Sequence, residues 1–177
     1  MAAWDRDETI VNLSFQSTNE IVKDLFANNN QALIDAFQDC VKCLSEFGSN
    51  PNFEDVAMNA IALINTCAKY VSEHKEKFDN ADIGTSTSTL AENTLQNNSS
   101  DHDQKTDRVW IRGWFPVLIE LSAIINRSKL DVRTRSLTIL FNIVQDYGES
   151  FESGNWADLF NLLFRSVVTL DMFLIDF

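Results

Sequence analysis

The sequence predicts an all-α fold built from antiparallel helix pairs, interrupted by one polar insertion. Three observations predict it. The chain holds only 5 Gly and 2 Pro in 177 residues, well below the roughly 12% of average usage, so a turn-rich sandwich or barrel is disfavoured. Apolar residues recur at helical spacing in six blocks. One small pattern then returns three times at similar intervals. A hydrophobic share of 45%, with 13 Phe and 4 Trp, supplies enough apolar material for a core.

The first block, about 7–27, places Ile10, Ser14, Ile21, Val22, Leu25 and Phe26 on one stripe. Asn28-Asn29-Asn30 breaks it. The second, about 31–47, stacks Leu33, Phe37, Val41 and Leu44. Gly48-Ser49-Asn50-Pro51 ends it, with Gly48 expected in the C′ position. The third, about 53–72, carries Val56, Ala60, Ile64, Ala68 and Val71. Residues 79–106 are nearly all Ser, Thr, Asn, Asp and small residues, too polar to offset their ordering entropy, so a disordered insertion is expected. Periodicity resumes at about 108–126. Pro116 suits the first turn of a helix opening near Trp114, which leaves Arg108 to Arg112 as a separate short turn. The fifth block, 131–147, has Asp131 as its expected N-cap and Gly148 as its stop. The sixth runs over 155–170, and 171–177 is expected to fray.

Ile10 precedes Ser14 by four residues, as Val56 precedes Ala60 and Val132 precedes Ser136. Val22, Ala68 and Val144 follow on the same stripes. A branched residue one turn before a small one lets two helices approach closely. Discounting the insertion, the repeat lies in the mid-forties with two helices per unit, the period of a HEAT/armadillo-like α-solenoid. The domains expected are helices over 7–78 (a half unit and a full pair), the insertion 79–106, helices over 107–170 (a full pair and a half unit) and the tail 171–177.

The net charge of −12 excludes a broad basic face for nucleic acid. No apolar run reaches the 18 residues of a membrane span. Three Cys make no disulfide framework. Cys40-Val41-Lys42-Cys43 lies inside a helix, so reduced, buried thiols are expected rather than a redox or zinc site. His74 and His102 have no nucleophile at suggestive spacing. No catalytic constellation, metal site or cofactor is expected.

One segment departs from the acidic average. Residues 108–135 hold Arg108, Arg112, Arg127, Lys129, Arg133 and Arg135 against Glu120 and Asp131. Such a patch can dock an acidic partner, a lipid head group or another part of the same polypeptide. Arg133 has the alternative of a ladder to an Asp of the neighbouring unit. Trp110 and Trp114 beside Gly113 could anchor a partner, with core packing as the default for aromatics at this spacing.

The run from Arg108 through Pro116, with Glu120-Leu121-Ser122, Ile125-Asn126-Arg127 and Lys129 through Arg135, resembles the large brefeldin-A-inhibited Arf guanine-nucleotide exchange factors of the trans-Golgi. Asp7-Glu8-Thr9-Ile10-Val11, Val41 through Phe47, Cys67 through Val71 and Trp156 through Phe160 carry the same resemblance, in order, over nearly all of 7–165. It implies a place in the HEAT-like array downstream of the catalytic exchange domain. The resemblance implies that this domain, with its catalytic glutamate, lies outside this chain. The implied role is regulatory and non-catalytic. The implied partners are small GTPases of the Arf/Rab type, other parts of the exchange factor, a second copy in a dimer and, through the parent, the cytoplasmic face of the Golgi membrane. The family has a short connection where this chain carries 79–106, and its pattern fades after Arg165. With the start at Met1, that leads to the expectation of a truncated gene product. The competing reading is a free-standing helical-repeat adaptor unrelated to nucleotide exchange.

Overall fold

The computed structural model describes residues 2–27, 31–80 and 108–162. Its described residues are helical with short connections and no strand. A short 3-10 turn, Ala2–Trp4, precedes α1 (Glu8–Ala27), α2 (Gln31–Gly48), α3 (Glu54–Glu73) and α4 (Lys75–Asn80). Beyond the insertion come a π turn (Trp110–Trp114), α5 (Phe115–Arg127), α6 (Leu130–Tyr147) and a 3-10 turn (Gly148–Ser150). A further helix, α7, is described over 153–162. The expected insertion from 81 to 106, the end of the sixth block and the tail 171–177 lie outside the described residues, as do the side chains of Leu25 and Leu33.

Two helix pairs form the body. α2 packs on α3 and α5 on α6, each joined by a connection too short for anything but antiparallel neighbours. The pairs then stack like on like, α2 against α5 and α3 against α6. Phe37, Val41 and Leu44 of α2 are fully buried, as are Ala60, Ile61, Ile64, Ala68 and Val71 of α3. Leu118, Leu121, Ile124 and Ile125 of α5 meet them, with Ile139, Leu140 and Ile143 of α6. Each of the larger side chains among them contributes roughly 1.5–3 kcal/mol on leaving water.

Local chemistry sets the ends. The Asp7 carboxylate accepts the Thr9 N–H at 2.8 Å and opens α1. Asn50, buried in the α2–α3 turn, accepts the N–H groups of Asn52 and Phe53 at 2.7 and 3.1 Å and donates to the Ala3 carbonyl at 2.6 Å. One amide thus holds the turn and the N-terminal segment together.

Several expectations change. Ile10 is 44% exposed and Ile21 58%, because α1 turns Val11, Phe15 and Val22 onto α2 and α3 instead. Val56, Ala60, Val132 and Ser136 do sit on packed stripes. Gly48 is the last residue of α2 and has no left-handed φ; its role is close approach, since an added Cβ would lie 2.8 Å from Ile124 Cδ1. Asp131 lies in the first turn of α6, whose N-cap is the extended Lys129. Asp79 and Asn80, counted with the insertion, close the short helix α4, where Phe78 is fully buried.

Arg108 to Arg112 is no separate turn either. The helix begins at Arg108 and continues through the π turn into α5 with helical dihedrals at Val109, Trp114 and Phe115. Pro116 lacks an N–H and crowds the carbonyl one turn back. The wider π turn relieves this, the Phe115 N–H reaching the Trp110 carbonyl five residues earlier. Gly113 sits where this turn presses on α3; a Cβ there would lie 2.7 Å from Val71 Cγ1. Gly113→Ala is expected to cost about 1–3 kcal/mol through overpacking, measured by urea denaturation. Gly154→Ala, with nothing within 4 Å of the added Cβ, is expected to lose no stability in the same assay.

Candidate functional site

The basic segment resolves into cations that serve the fold and cations that face water. Arg133 belongs to the fold. From α6 its Nε donates to the Ile125 carbonyl at 3.0 Å and its Nη2 to the Ser128 carbonyl at 3.1 Å. These acceptors lie at the C-terminal end of α5, where carbonyls lack intrahelical partners and the helix dipole favours a cation. The ladder to a neighbouring unit's Asp is therefore replaced by a cap within the same pair. Arg127 is half-paired: its Nη1 lies 3.7 Å from Glu46 Oε1, whose other oxygen accepts the Trp4 indole N–H at 2.7 Å. Arg108 donates to the Asp79 carbonyl at 3.4 Å, joining α4 to the start of the next helix. Arg112 is half-buried beside Ile34, Asp35 and Gln38. Lys129 and Arg135 are exposed and form no ion pair among the described residues.

Trp110 and Trp114 are 4% and 2% exposed, so neither projects as an anchor. They wall a cavity. Phe151 packs edge-on to both, with ring centroids 5.2 and 5.5 Å away, and Tyr147 lies 5.0 Å from Trp114. The cavity beside them has a volume of about 450 Å³ and is also lined by Val109 and Asn155. Lys75 and Glu76, both exposed, stand at its edge. Sequence reasoning missed Phe151, Asn155 and the α4 residues, because the cavity gathers three stretches that share no motif.

The thiols are quiet. Cys67 is fully buried, and burial pushes its pKa far up. Burial also raises Cys40, helped by Cys43 and Asp39, and raises Cys43. None of the three forms a disulfide. Among the described residues no His, Cys, Asp or Glu group of three or more is placed to hold a metal, and no helix is long and apolar enough to cross a membrane.

Among the described residues, the outward features are cations and an aromatic cavity on stacked helices. Brefeldin A-inhibited guanine nucleotide-exchange protein 1 of Mus musculus is 50% identical over 165 residues, covering 93% of this chain and 8% of that protein. The protein of the same name from Homo sapiens is 49% identical over 166 residues, with the same coverage of each. That from Arabidopsis thaliana is 30% identical over 165 residues, covering 90% and 9%. This chain belongs to the brefeldin A-inhibited guanine nucleotide-exchange protein family. It spans about 8% of the length of its mammalian relatives. No family model matches it, and no solved structure matches it.

Two outcomes test these assignments. Arg133→Ala is expected to cost about 1–3 kcal/mol in urea denaturation, since it leaves half-buried carbonyls unpaired, whereas Arg135→Ala stays within about 0.5 kcal/mol of the parent. At pH 8 the native protein is expected to react with Ellman's reagent more slowly than free cysteine, because raised pKa values shrink the thiolate fraction; in denaturant all three thiols titrate.

Proposed function

We propose that this chain is a non-catalytic regulatory and docking segment of a Golgi Arf guanine-nucleotide exchange factor, a HEAT-like stack that binds protein partners in vesicle transport. The observation that carries it is the 50% identity over 93% of the chain to a relative of which the chain covers only 8%. A chain of that share supplies a surface to the larger protein, and stacked helix pairs are well suited to present one. The resemblance of the blocks from Asp7 to Arg165 favours a place downstream of the exchange domain. The partners proposed are small GTPases of the Arf/Rab type, other parts of the exchange factor and a second copy, with the Golgi membrane reached through the parent protein.

Lys129 and Arg135 are the contact residues favoured on the basic segment, because Arg133 is engaged inside the fold and Arg127 pairs with Glu46 at the surface. Nucleotide release from Arf is expected to proceed at its spontaneous rate in the presence of this chain; acceleration above that rate overturns the non-catalytic reading. In co-precipitation with Golgi GTPases, the double variant Lys129→Glu and Arg135→Glu is expected to bind about tenfold more weakly with unchanged helical circular dichroism. Unchanged binding removes the basic segment from the interface.

A further inference from the structure

We propose that the cavity beside Trp110 and Trp114 is a binding site for a tyrosine side chain presented by another polypeptide. Its walls are Val109, Trp110, Trp114 and Phe151, all at most 9% exposed. A volume of about 450 Å³ falls within the roughly 300–1,000 Å³ of ligand pockets. A dry site of about 150 Å³ already accepts a benzene ring.

Asp79, Ser150 and Asn155 break this apolar lining, and Asn155 is decisive. Asn155 is 5% exposed, it lines the cavity, and its carboxamide has no hydrogen-bond partner among the described residues. Both amide atoms reach water through the cavity, so an occupant that displaces this water must replace its hydrogen bonds. An occupant that satisfies both features has an aromatic body and one polar tip. Tyrosine has both, and its ring suits the edge-to-face contacts that Phe151 already makes. A phenylalanine fills the same space and leaves the amide unpaired. Lys75 stands against Glu76 and Asp79 in the lining, a formal balance of about one negative charge that suits an uncharged phenol better than an anionic group. A polypeptide source follows from the docking role proposed above, on which that part alone rests; the chemistry of the cavity is independent of it.

The test uses the full chain and two probes, the capped tripeptides acetyl-Gly-Tyr-Gly-amide and acetyl-Gly-Phe-Gly-amide. The tyrosine peptide is expected to shift the indole N–H resonances of Trp110 and Trp114 and to bind about tenfold more tightly than the phenylalanine peptide, the discrimination set by a buried group left unpaired. Asn155→Leu is expected to abolish that preference while keeping the indole shifts. Should that variant not fold, Asn155→Ala removes the amide with less added bulk and carries the same expectation. Equal affinity of the two peptides for the parent protein, silence of both indoles, or a preference that survives loss of Asn155 overturns the proposal. Because the probes are isolated peptides, none of these outcomes depends on whether a GTPase docks elsewhere.

Discussion

The seam between the two helix pairs governs the rest of the molecule. At one end Gly48 lets α2 close on Ile124 of α5, and at the other Gly113 lets the π turn close on Val71 of α3. Between these points the fully buried Leu44, Ile61, Ile64, Leu121 and Ile124 fill the space. Interiors are packed near crystal density, so the distance between two layers is not adjustable by small increments. Two residues without side chains therefore set how deeply one pair nests in the other. Everything carried on the outer surfaces inherits its position from that depth.

Polar contacts do a different job. They secure edges rather than the centre. The Asn50 amide holds the first turn and the N-terminal segment, Arg133 closes the end of α5, and the Ser128 hydroxyl reaches the Gly48 carbonyl at 3.4 Å across the seam. Glu46 gathers both Trp4 and Arg127. Each is modest by itself, but each occupies a backbone or charged group that would otherwise be stranded at a helix end. The basic segment is therefore less uniform than its composition: some of its cations are structural fasteners and others remain available.

Helix positions are largely legible because a packed helix imposes a 3.6-residue period: α2 buries Phe37, Val41 and Leu44, and α3 buries Val56, Ala60, Ile64, Ala68 and Val71. The errors have physical causes. α4 has six residues and one deeply buried side chain, too little for a period to emerge. Pro116 read as a break because the π turn that accommodates it leaves no mark in sequence. On α1 two apolar stripes compete, and only the neighbours decide which one packs. The partners of Arg133 are backbone carbonyls, which carry no residue identity to search for. The cavity was invisible for a related reason. Trp110 and Trp114 were noticed, while Phe151 and Asn155 reach them only through the fold.

The contact between Arg108 and the Asp79 carbonyl joins two points 29 residues apart in sequence. The end of α4 and the start of the next described helix therefore lie close together. Closing a longer connection between fixed ends costs only about 0.6 kcal/mol for each doubling of its length. The intervening stretch can thus grow or shrink by many residues while the stacked pairs on either side keep their register. A position of this kind is a permissive gap in an otherwise exacting array: new sequence can be tried there without renegotiating the helices.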